Sequence, residues 1–196
     1  VGSGWRSLFF VRIAKKYPHL FTLKYMLCRS QEKADRMAAE HQIPTTISAR
    51  ECEEARPDFV VVAVSKASLY EETVKWAKRG FPVLCETPAA GTVEDLKELW
   101  QLVQSGAKIQ IAEQYHRYPT MAAGLDAMKK GLLHEPYAVS LSMAHDYHGV
   151  SLIRRMLQPE NPADLRLEYL TGARYTFPVT ETDSRYGDIT DGRVKE

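Results

Sequence analysis

The sequence predicts an α/β fold built around a doubly wound parallel sheet, on three observations. A Gly-x-Gly turn at Gly2 and Gly4 leads directly into an amphipathic run over residues 8–14. Apolar stretches then alternate with helical patterns along the chain, with short connections between them. One stretch, 58–64, is continuously apolar, as expected of a parallel strand that is covered on both faces. Such alternation gives βαβ units with right-handed crossovers.

The predicted strands follow runs of β-forming or apolar residues. Residues 21–28 are rich in β-formers, and 58–64 and 81–85 are apolar throughout most of their length. Shorter runs at 45–47 and 108–112 complete the set. In a doubly wound sheet the ligand lies outside the carboxyl ends of the strands. We therefore expect the site residues in the segments 2–7, 28–30, 65–68, 86–89 and 114–119.

The first helices are defined by their end signals. The helix that starts near Trp5 should end before Pro18, because the residue preceding a proline is disfavoured in helical geometry. Ser30 is placed to cap a helix over 31–41, and a short polar helix is expected at 49–55.

Two later helices begin with a capping box, in which a Ser or Thr precedes an acidic residue by three positions. One box starts at Ser68 and introduces a helix that ends before Gly80. The other starts at Thr92, and its helix has an apolar stripe that is expected to face inward: Leu96, Leu99, Trp100 and Val103.

Composition and charge exclude several classes of function. The 196 residues are 44% hydrophobic and carry a net charge of +1, with the Lys and Arg residues scattered. No basic block points to nucleic acid or a membrane surface, and no apolar run approaches the roughly 20 residues of a membrane span. The three cysteines lack metal-type spacing, so we interpret them as buried thiols of a cytoplasmic protein. We expect no bound metal, no nucleic acid and no membrane partner.

The glycine turn has the pattern of a dinucleotide-binding site. Gly2 would allow the tight turn, and Gly4 would let the backbone approach a pyrophosphate at the following helix N-terminus. Ser7 takes the third small position of the pattern, and Trp5 and Arg6 lie inside the turn. All of these except Ser7 are candidate cofactor-binding residues. A Gly-rich turn before a helix without any cofactor is the alternative.

The end of the second strand indicates which nucleotide is preferred. An acidic residue there would bind the ribose 2′-hydroxyl of NAD, whereas this chain has Arg29 and Ser30. A guanidinium beside a hydroxyl suits a 2′-phosphate, which favours NADP and leaves NAD as the alternative. In the structural alternative, Arg29 is a solvated loop residue and Ser30 is only a helix cap.

Beyond Pro119 the pattern changes. A helix at 120–133, an alternating strand at 136–143 and a helix at 150–157 precede two antiparallel strands around Gly172. We predict an NAD(P)-binding domain over 1–119 and an α+β domain, incomplete here, over 120–196. The strand expected before Gly2 is reduced to Val1, so we expect the sequence to be part of a longer chain.

Four segments together resemble the Gfo/Idh/MocA oxidoreductases, which include glucose–fructose oxidoreductase and inositol dehydrogenase. They are residues 1–7, 58–64, the segment GFPVLCETP at 80–88, and 145–157. The resemblance implies an N-terminal Rossmann domain and a C-terminal domain with a large, mainly antiparallel sheet. It also implies hydride transfer between NAD(P) and a sugar, polyol or related carbonyl compound, in a homo-oligomer such as a dimer or tetramer.

The resemblance implies several site residues, with departures. The family has Glu-Lys-Pro where this chain has Glu86 followed by Thr87, and a threonine hydroxyl is a poor general acid or base near neutral pH. The family's Thr-Pro-Asn turn is replaced here by Ser65 and Lys66, with Ser65 and Glu86 kept as cofactor contacts. Lys66 either supplies the missing positive charge or is an exposed Lys at a helix start. Gln114 corresponds to a family residue that contacts the cofactor.

His148 corresponds to the family's catalytic His. Imidazole exchanges protons near neutral pH, which suits transfer to and from a substrate hydroxyl. The family's flanking Asp positions are Ala144 and Ser151 here, so Asp146 or Tyr115 would have to orient the ring. The alternative is a hydrogen-bonded His at a strand-to-helix turn.

Three functions therefore stay open. The first is an NADP-dependent oxidoreductase that uses His148, Thr87 and Lys66. The second is a non-catalytic relative that senses the dinucleotide or acts as a scaffold, which the loss of the family's Lys favours. The third is an imine reductase, whose chemistry depends less on that Lys.

Overall fold

Short parallel strands alternate with helices through the first part of the chain, as the sequence predicts. The structure is a computed structural model that describes residues 1–132, 136, 139, 141 and 145–158. The strands are β1 (Met26–Leu27), β2 (Thr45–Thr46), β3 (Val60–Val62), β4 (Val83–Cys85) and β5 (Ile109–Ile111). The α-helices are α1 (Ser7–Lys16), α2 (Gln31–His41), α3 (Ala49–Glu54), α4 (Lys66–Lys78), α5 (Val93–Gln104), α6 (Pro119–Lys129) and α7 (Asp146–Leu157), and a 3₁₀ helix spans Tyr115–Arg117.

The strands pair in two ladders of parallel sheet. β1 pairs with β2, with Met26 opposite Thr45. β4 lies between β3 and β5, with Val83 opposite Val60 on one side and Ile109 on the other. Because β3, β4 and β5 run parallel, their carboxyl ends meet at one edge of the sheet.

Val1 and Gly2 lie between the two ladders. The Gly2 N–H donates to the Leu27 carbonyl at 3.1 Å, and the Ala63 N–H donates to the Val1 carbonyl at 2.9 Å. The Val1 nitrogen donates to the Val61 carbonyl at 2.6 Å. The spatial order is therefore β2, β1, residues 1–2, β3, β4, β5. This is the strand order of a dinucleotide-binding sheet, with residues 1–2 in the place of its first strand.

A cavity of about 490 Å³ lies between β1 and β3, next to Val1. Its walls include Tyr25 and Phe59, which precede β1 and β3 in the chain. The cavity therefore extends toward the amino ends of these strands. Because Gly2, Ser7 and Ala63 also line it, it continues along the strands as far as the glycine turn.

The core lies between α4 and the sheet. Val62, Leu69, Trp76 and Cys85 have at most 1% of their surface exposed. Val60 is also buried, which confirms that the apolar run at 58–64 supplies a covered strand. Burial raises the pKa of the Cys85 thiol, against the opposing effect of its hydrogen bond with Thr73.

Some predicted element starts are wrong. The strand expected over 21–28 is limited to Met26–Leu27, because only these residues pair with β2. α4 begins at Lys66 rather than after Ser68. Ser65 has the extended backbone of an N-cap residue, and the Ser68 N–H already donates to the Ser65 carbonyl at 2.9 Å in the first turn. Ser68 is thus inside the helix and cannot cap it.

The inward stripe predicted for α5 is only partly correct. Thr92 caps the helix as predicted, since its hydroxyl accepts from the Asp95 N–H at 3.1 Å. Leu99 is buried in the core, but Leu96 and Trp100 are 51% and 61% exposed. Leu99 is the residue of α5 that the core fully covers, so the buried surface of this helix is narrower than its apolar stripe.

The later elements begin with α6, where Pro119 occupies the first turn, as its missing N–H allows. α7 begins at Asp146, earlier than the predicted start at residue 150. By their contacts, Val1–Gln158 form one unit. The strands predicted at 136–143 and around Gly172 lie outside the described residues, and the domain boundary after residue 119 stays a prediction. No helix in the described ranges is long and apolar enough to span a bilayer.

Candidate functional site

The candidate site is built from the segments that follow the strands. Residues 2–7 follow the strand-like start of the chain, and Arg29 and Ser30 follow β1. Lys66, Glu86 and Glu113 come shortly after β3, β4 and β5 respectively. In a doubly wound sheet this is the edge at which a ligand binds.

Gly2 is required by the backbone itself. Its φ is +103°, a backbone conformation that residues other than glycine rarely adopt. A Cβ at this position would lie 2.3 Å from the Ala63 carbonyl oxygen, which is well inside van der Waals contact. Only glycine therefore allows the turn to pass this close to the end of β3.

Ser7 uses the same carbonyl group. It is buried, and its hydroxyl donates to the Ala63 oxygen at 3.1 Å. The first residue of α1 is thus tied to the end of β3 by a hydrogen bond. This contact explains how Ser7 serves at the third small position of the motif.

Gly4 is different, because no heavy atom lies within 4 Å of a Cβ built there. The helix that follows has no side-chain cap and no acidic residue in its first turn. The N–H groups of Ser7, Leu8 and Phe9 donate to the carbonyls three residues earlier at 3.1–3.2 Å, so it is the helix dipole that favours an anion here. The open space at Gly4 and the uncapped helix fit the pyrophosphate of a dinucleotide.

Arg6 links the glycine turn to β4 and β5. Its Nε donates to Glu86 Oε1 at 2.7 Å, and the Glu86 side chain is only 8% exposed. The Gln114 side-chain amide is oriented so that both of its polar atoms form hydrogen bonds. Its oxygen accepts from Arg6 Nη2 at 3.2 Å, and its nitrogen donates to the Ala112 carbonyl at 2.7 Å. Glu86 Oε2 also accepts from the Thr87 N–H at 3.2 Å. Three loops of the edge are therefore held together by one guanidinium.

Glu113 and His148 form a second polar contact at this edge. Glu113 Oε2 is in hydrogen-bond contact with His148 Nδ1, and the two side chains are 15% and 8% exposed. Glu113 was not predicted as a site residue. The available signal was its position directly after the last strand, beside Gln114.

Aromatic rings enclose the imidazole of His148. The ring centroids of Tyr115 and Tyr147 lie 4.3 Å and 4.4 Å from it. Lys66 Nζ lies 5.8 Å from the centre of the Tyr147 ring, within cation–π distance. The structure thus brings Lys66 and His148 into one cluster around Tyr147, although Lys66 itself is exposed. The side chain of Asp146, the other residue expected to orient His148, lies outside the described part of the chain, as does Ala144.

His116 lies beside this cluster, on the 3₁₀ helix. Its pKa is lowered, first by burial and then by the positive charges of Arg155 and Arg117. Its Nδ1 is buried and has no hydrogen-bond partner among the described residues. The surroundings therefore disfavour the protonated imidazole at this position.

Comparison of the sequence with models of known protein families shows which family the chain belongs to. The model of the GFO_IDH_MocA family, described as an oxidoreductase family with an NAD-binding Rossmann fold, matches residues 1–115. The chain belongs to this family. Among curated proteins, none matches the chain.

Several solved structures share the fold of this chain. A probable dehydrogenase from Thermotoga maritima is 14% identical, with a TM-score of 0.63 over 76% of this chain and 52% of that one. An NAD binding oxidoreductase from Klebsiella pneumoniae is 23% identical, with a TM-score of 0.59 over 69% and 38%. The WlbA dehydrogenase from Bordetella pertussis, in complex with NADH and UDP-GlcNAcA, is 18% identical, with a TM-score of 0.61 over 68% and 42%. The chain therefore spans about half or less of these relatives' length.

Four other predicted site residues are exposed: Trp5, Arg29, Ser30 and Ser65. Ser30 caps α2, since its hydroxyl accepts from the Lys33 N–H at 3.3 Å, and Arg29 beside it is exposed. Trp5 is 61% exposed and packs edge-on against Phe9. Ser65 is exposed at the start of α4. The binding roles of these residues stay predictions.

Proposed function

We propose that this chain is the cofactor-binding part of an NADP-dependent oxidoreductase that acts on a sugar, polyol or related small carbonyl compound. One observation carries the proposal. An enclosed, hydrogen-bonded His148 lies at the same sheet edge as a glycine turn that fits a dinucleotide. The WlbA relative, whose structure contains NADH and UDP-GlcNAcA, supports a substrate of the sugar class.

Each part of the cofactor has candidate partners. The turn from Gly2 to Arg6 and the N-terminus of α1 would hold the pyrophosphate. Arg29 and Ser30 would hold the 2′-phosphate, because a guanidinium makes charge-assisted hydrogen bonds to phosphate. The remaining contacts would come from Ser65, Glu86 and Gln114.

The bound cofactor would supply or accept the hydride. His148 would take a proton from the substrate hydroxyl in one direction and return it in the other. Lys66, which lies near Tyr147, would supply the positive charge that the family's Lys provides elsewhere. The Thr87 hydroxyl would donate a hydrogen bond to the substrate oxygen.

A non-catalytic relative is the second candidate, and the observation that favours it is Thr87 in place of the family's Lys. Such a protein would bind the dinucleotide as a sensor or scaffold. Assembly into a dimer or tetramer is proposed for either candidate, on the family resemblance alone.

The first experiment is a fluorescence titration with NADPH and NADH, for which the exposed Trp5 beside the turn is a built-in reporter. Arg29→Ala should weaken NADPH binding roughly tenfold or more, since it removes hydrogen bonds to a charged group, and should leave NADH binding unchanged. Arg36→Ala, on the exposed face of α2, is the matched control. Equal loss for both nucleotides would remove the NADP preference, and failure to bind either would overturn the oxidoreductase proposal.

A further inference from the structure

The Glu113–His148 pair restricts where the imidazole can carry its proton. An ionised carboxylate has no hydrogen to donate, so with Glu113 ionised the shared proton of this contact lies on Nδ1. The second Glu113 oxygen is also engaged, because Oε1 accepts from the Tyr115 N–H at 3.1 Å. The carboxylate is therefore held at both oxygens and presents a fixed acceptor to the ring.

Aromatic packing also restricts the orientation of the His148 imidazole. Tyr115 and Tyr147 both pack against the imidazole, and the side chain of His148 is 8% exposed. Glu113 belongs to the turn after β5, whereas His148 belongs to the first turn of α7, 35 residues later. The contact thus fixes the ring relative to the edge of the sheet.

We infer that Glu113 is a positioning residue that keeps the proton of His148 on Nδ1, so that Nε2 is the nitrogen that exchanges a proton with substrate. This inference rests on the proposed function of His148. When the substrate hydroxyl is deprotonated, the O–H bond breaks, its electron pair stays on oxygen, and the proton bonds to Nε2. Glu113 then accepts a hydrogen bond from the imidazolium, and the reverse step returns the same proton to the substrate oxygen.

The direct test is ¹⁵N NMR of the histidine rings in the cofactor-free protein, at about pH 9, where ordinary imidazoles are neutral. The His148 signals are assigned by their loss in His148→Asn. We expect the wild-type ring to carry its proton on Nδ1. Glu113→Leu should abolish that preference, and Glu113→Gln, which keeps an acceptor oxygen, should retain it. Glu54→Gln, on an exposed carboxylate, is the control.

A wild-type ring protonated on Nε2 would overturn the inference, even if Glu113→Leu failed to fold. So would a Glu113→Leu ring that still carried its proton on Nδ1. Once a substrate is known, Glu113→Leu should lower kcat roughly 100-fold with little change in KM, and Glu113→Gln should lose less. Because the NMR measurement needs no cofactor, its outcome is independent of whether NADPH binds.

Discussion

The glycine turn and the His148 cluster lie at the same sheet edge but are built in different ways. The turn is a backbone structure, in which Gly2 lies against the Ala63 carbonyl and Ser7 bonds to the same oxygen. The cluster consists of side chains, in which Glu113 and Tyr115 meet His148 from a distant segment. In the turn, the backbone at Gly2 leaves no room for an added Cβ, whereas the cluster depends on which side chains are paired.

The same contrast separates the two glycines of the turn. The space that a Cβ would take at Gly2 is occupied by the Ala63 carbonyl, whereas the corresponding space at Gly4 is open. We infer that one glycine serves folding and the other serves the ligand. The predictions that follow test this division and then the side-chain contacts.

The largest expected effect is that of Gly2→Ala on stability. The new Cβ would overlap the Ala63 carbonyl and the residue would need a strained positive φ, so the free energy of unfolding should fall by about 3 kcal/mol. Urea denaturation followed by circular dichroism measures this loss.

Gly4→Ala is the matched control. Its stability should change by less than about 0.5 kcal/mol, as for a substitution in open space. Its affinity for NADPH should nevertheless fall, because the Cβ would separate the backbone from the pyrophosphate. Equal destabilisation by the two substitutions would contradict the division of roles.

The next largest effect on stability is expected from breaking the Arg6–Glu86 ion pair, which links the glycine turn to the loop after β4. Arg6→Met would leave the buried Glu86 carboxylate without its cation, which costs 3–5 kcal/mol for a fully buried pair. Because the Arg6 side chain is 31% exposed, water screens the pair, and we expect a loss of about 2 kcal/mol.

The comparison pair for Arg6 is Arg50 with Glu54, whose side chains are 86% and 59% exposed. Arg50→Met should cost less than about 0.5 kcal/mol in the same urea experiment. If Arg6→Met is equally harmless, Arg6 does not hold the edge together.

The difference between the two regions also explains what the sequence predicts. The glycine turn, the caps of α2 and α5 and the covered strand β3 depend on residues close together in the chain. Each has a local signal, and each is found where expected. The family resemblance is confirmed by the match over residues 1–115.

Tertiary contacts carry no such local signal. The pairing of Glu113 with His148 depends on where α7 packs, and nothing near Glu113 in the chain shows this. The exposure of Trp100 likewise depends on how α5 packs on the core. The apolar stripe of this helix is wider than the part of it that is buried. Ser68 and Glu71 matched a capping pattern, but Ser65 ends the extended segment three residues earlier.

A smaller effect is expected for the cation of the cluster. If Lys66 replaces the family's Lys, then Lys66→Met should lower kcat roughly tenfold on the substrate found by screening, with stability unchanged. Thr87→Lys, made in the Lys66→Met background, should restore part of that loss. A rate that is unchanged by Lys66→Met would show that Lys66 is an exposed residue without a role in the reaction.

The smallest effect is a pH dependence from His116. Its folded pKa is lowered from 6.5, mainly by burial, so the unfolded chain takes up the proton first as the pH falls. Stability should therefore decrease on acidification below 6.5 and be unaffected by this group above it. In urea denaturation, His116→Gln should be less sensitive to acid than the wild type, while His19→Gln, on an exposed residue, should match the wild type. If His116→Gln and the wild type lose stability in parallel, the half-buried imidazole of His116 does not penalise protonation, and the acid sensitivity originates elsewhere.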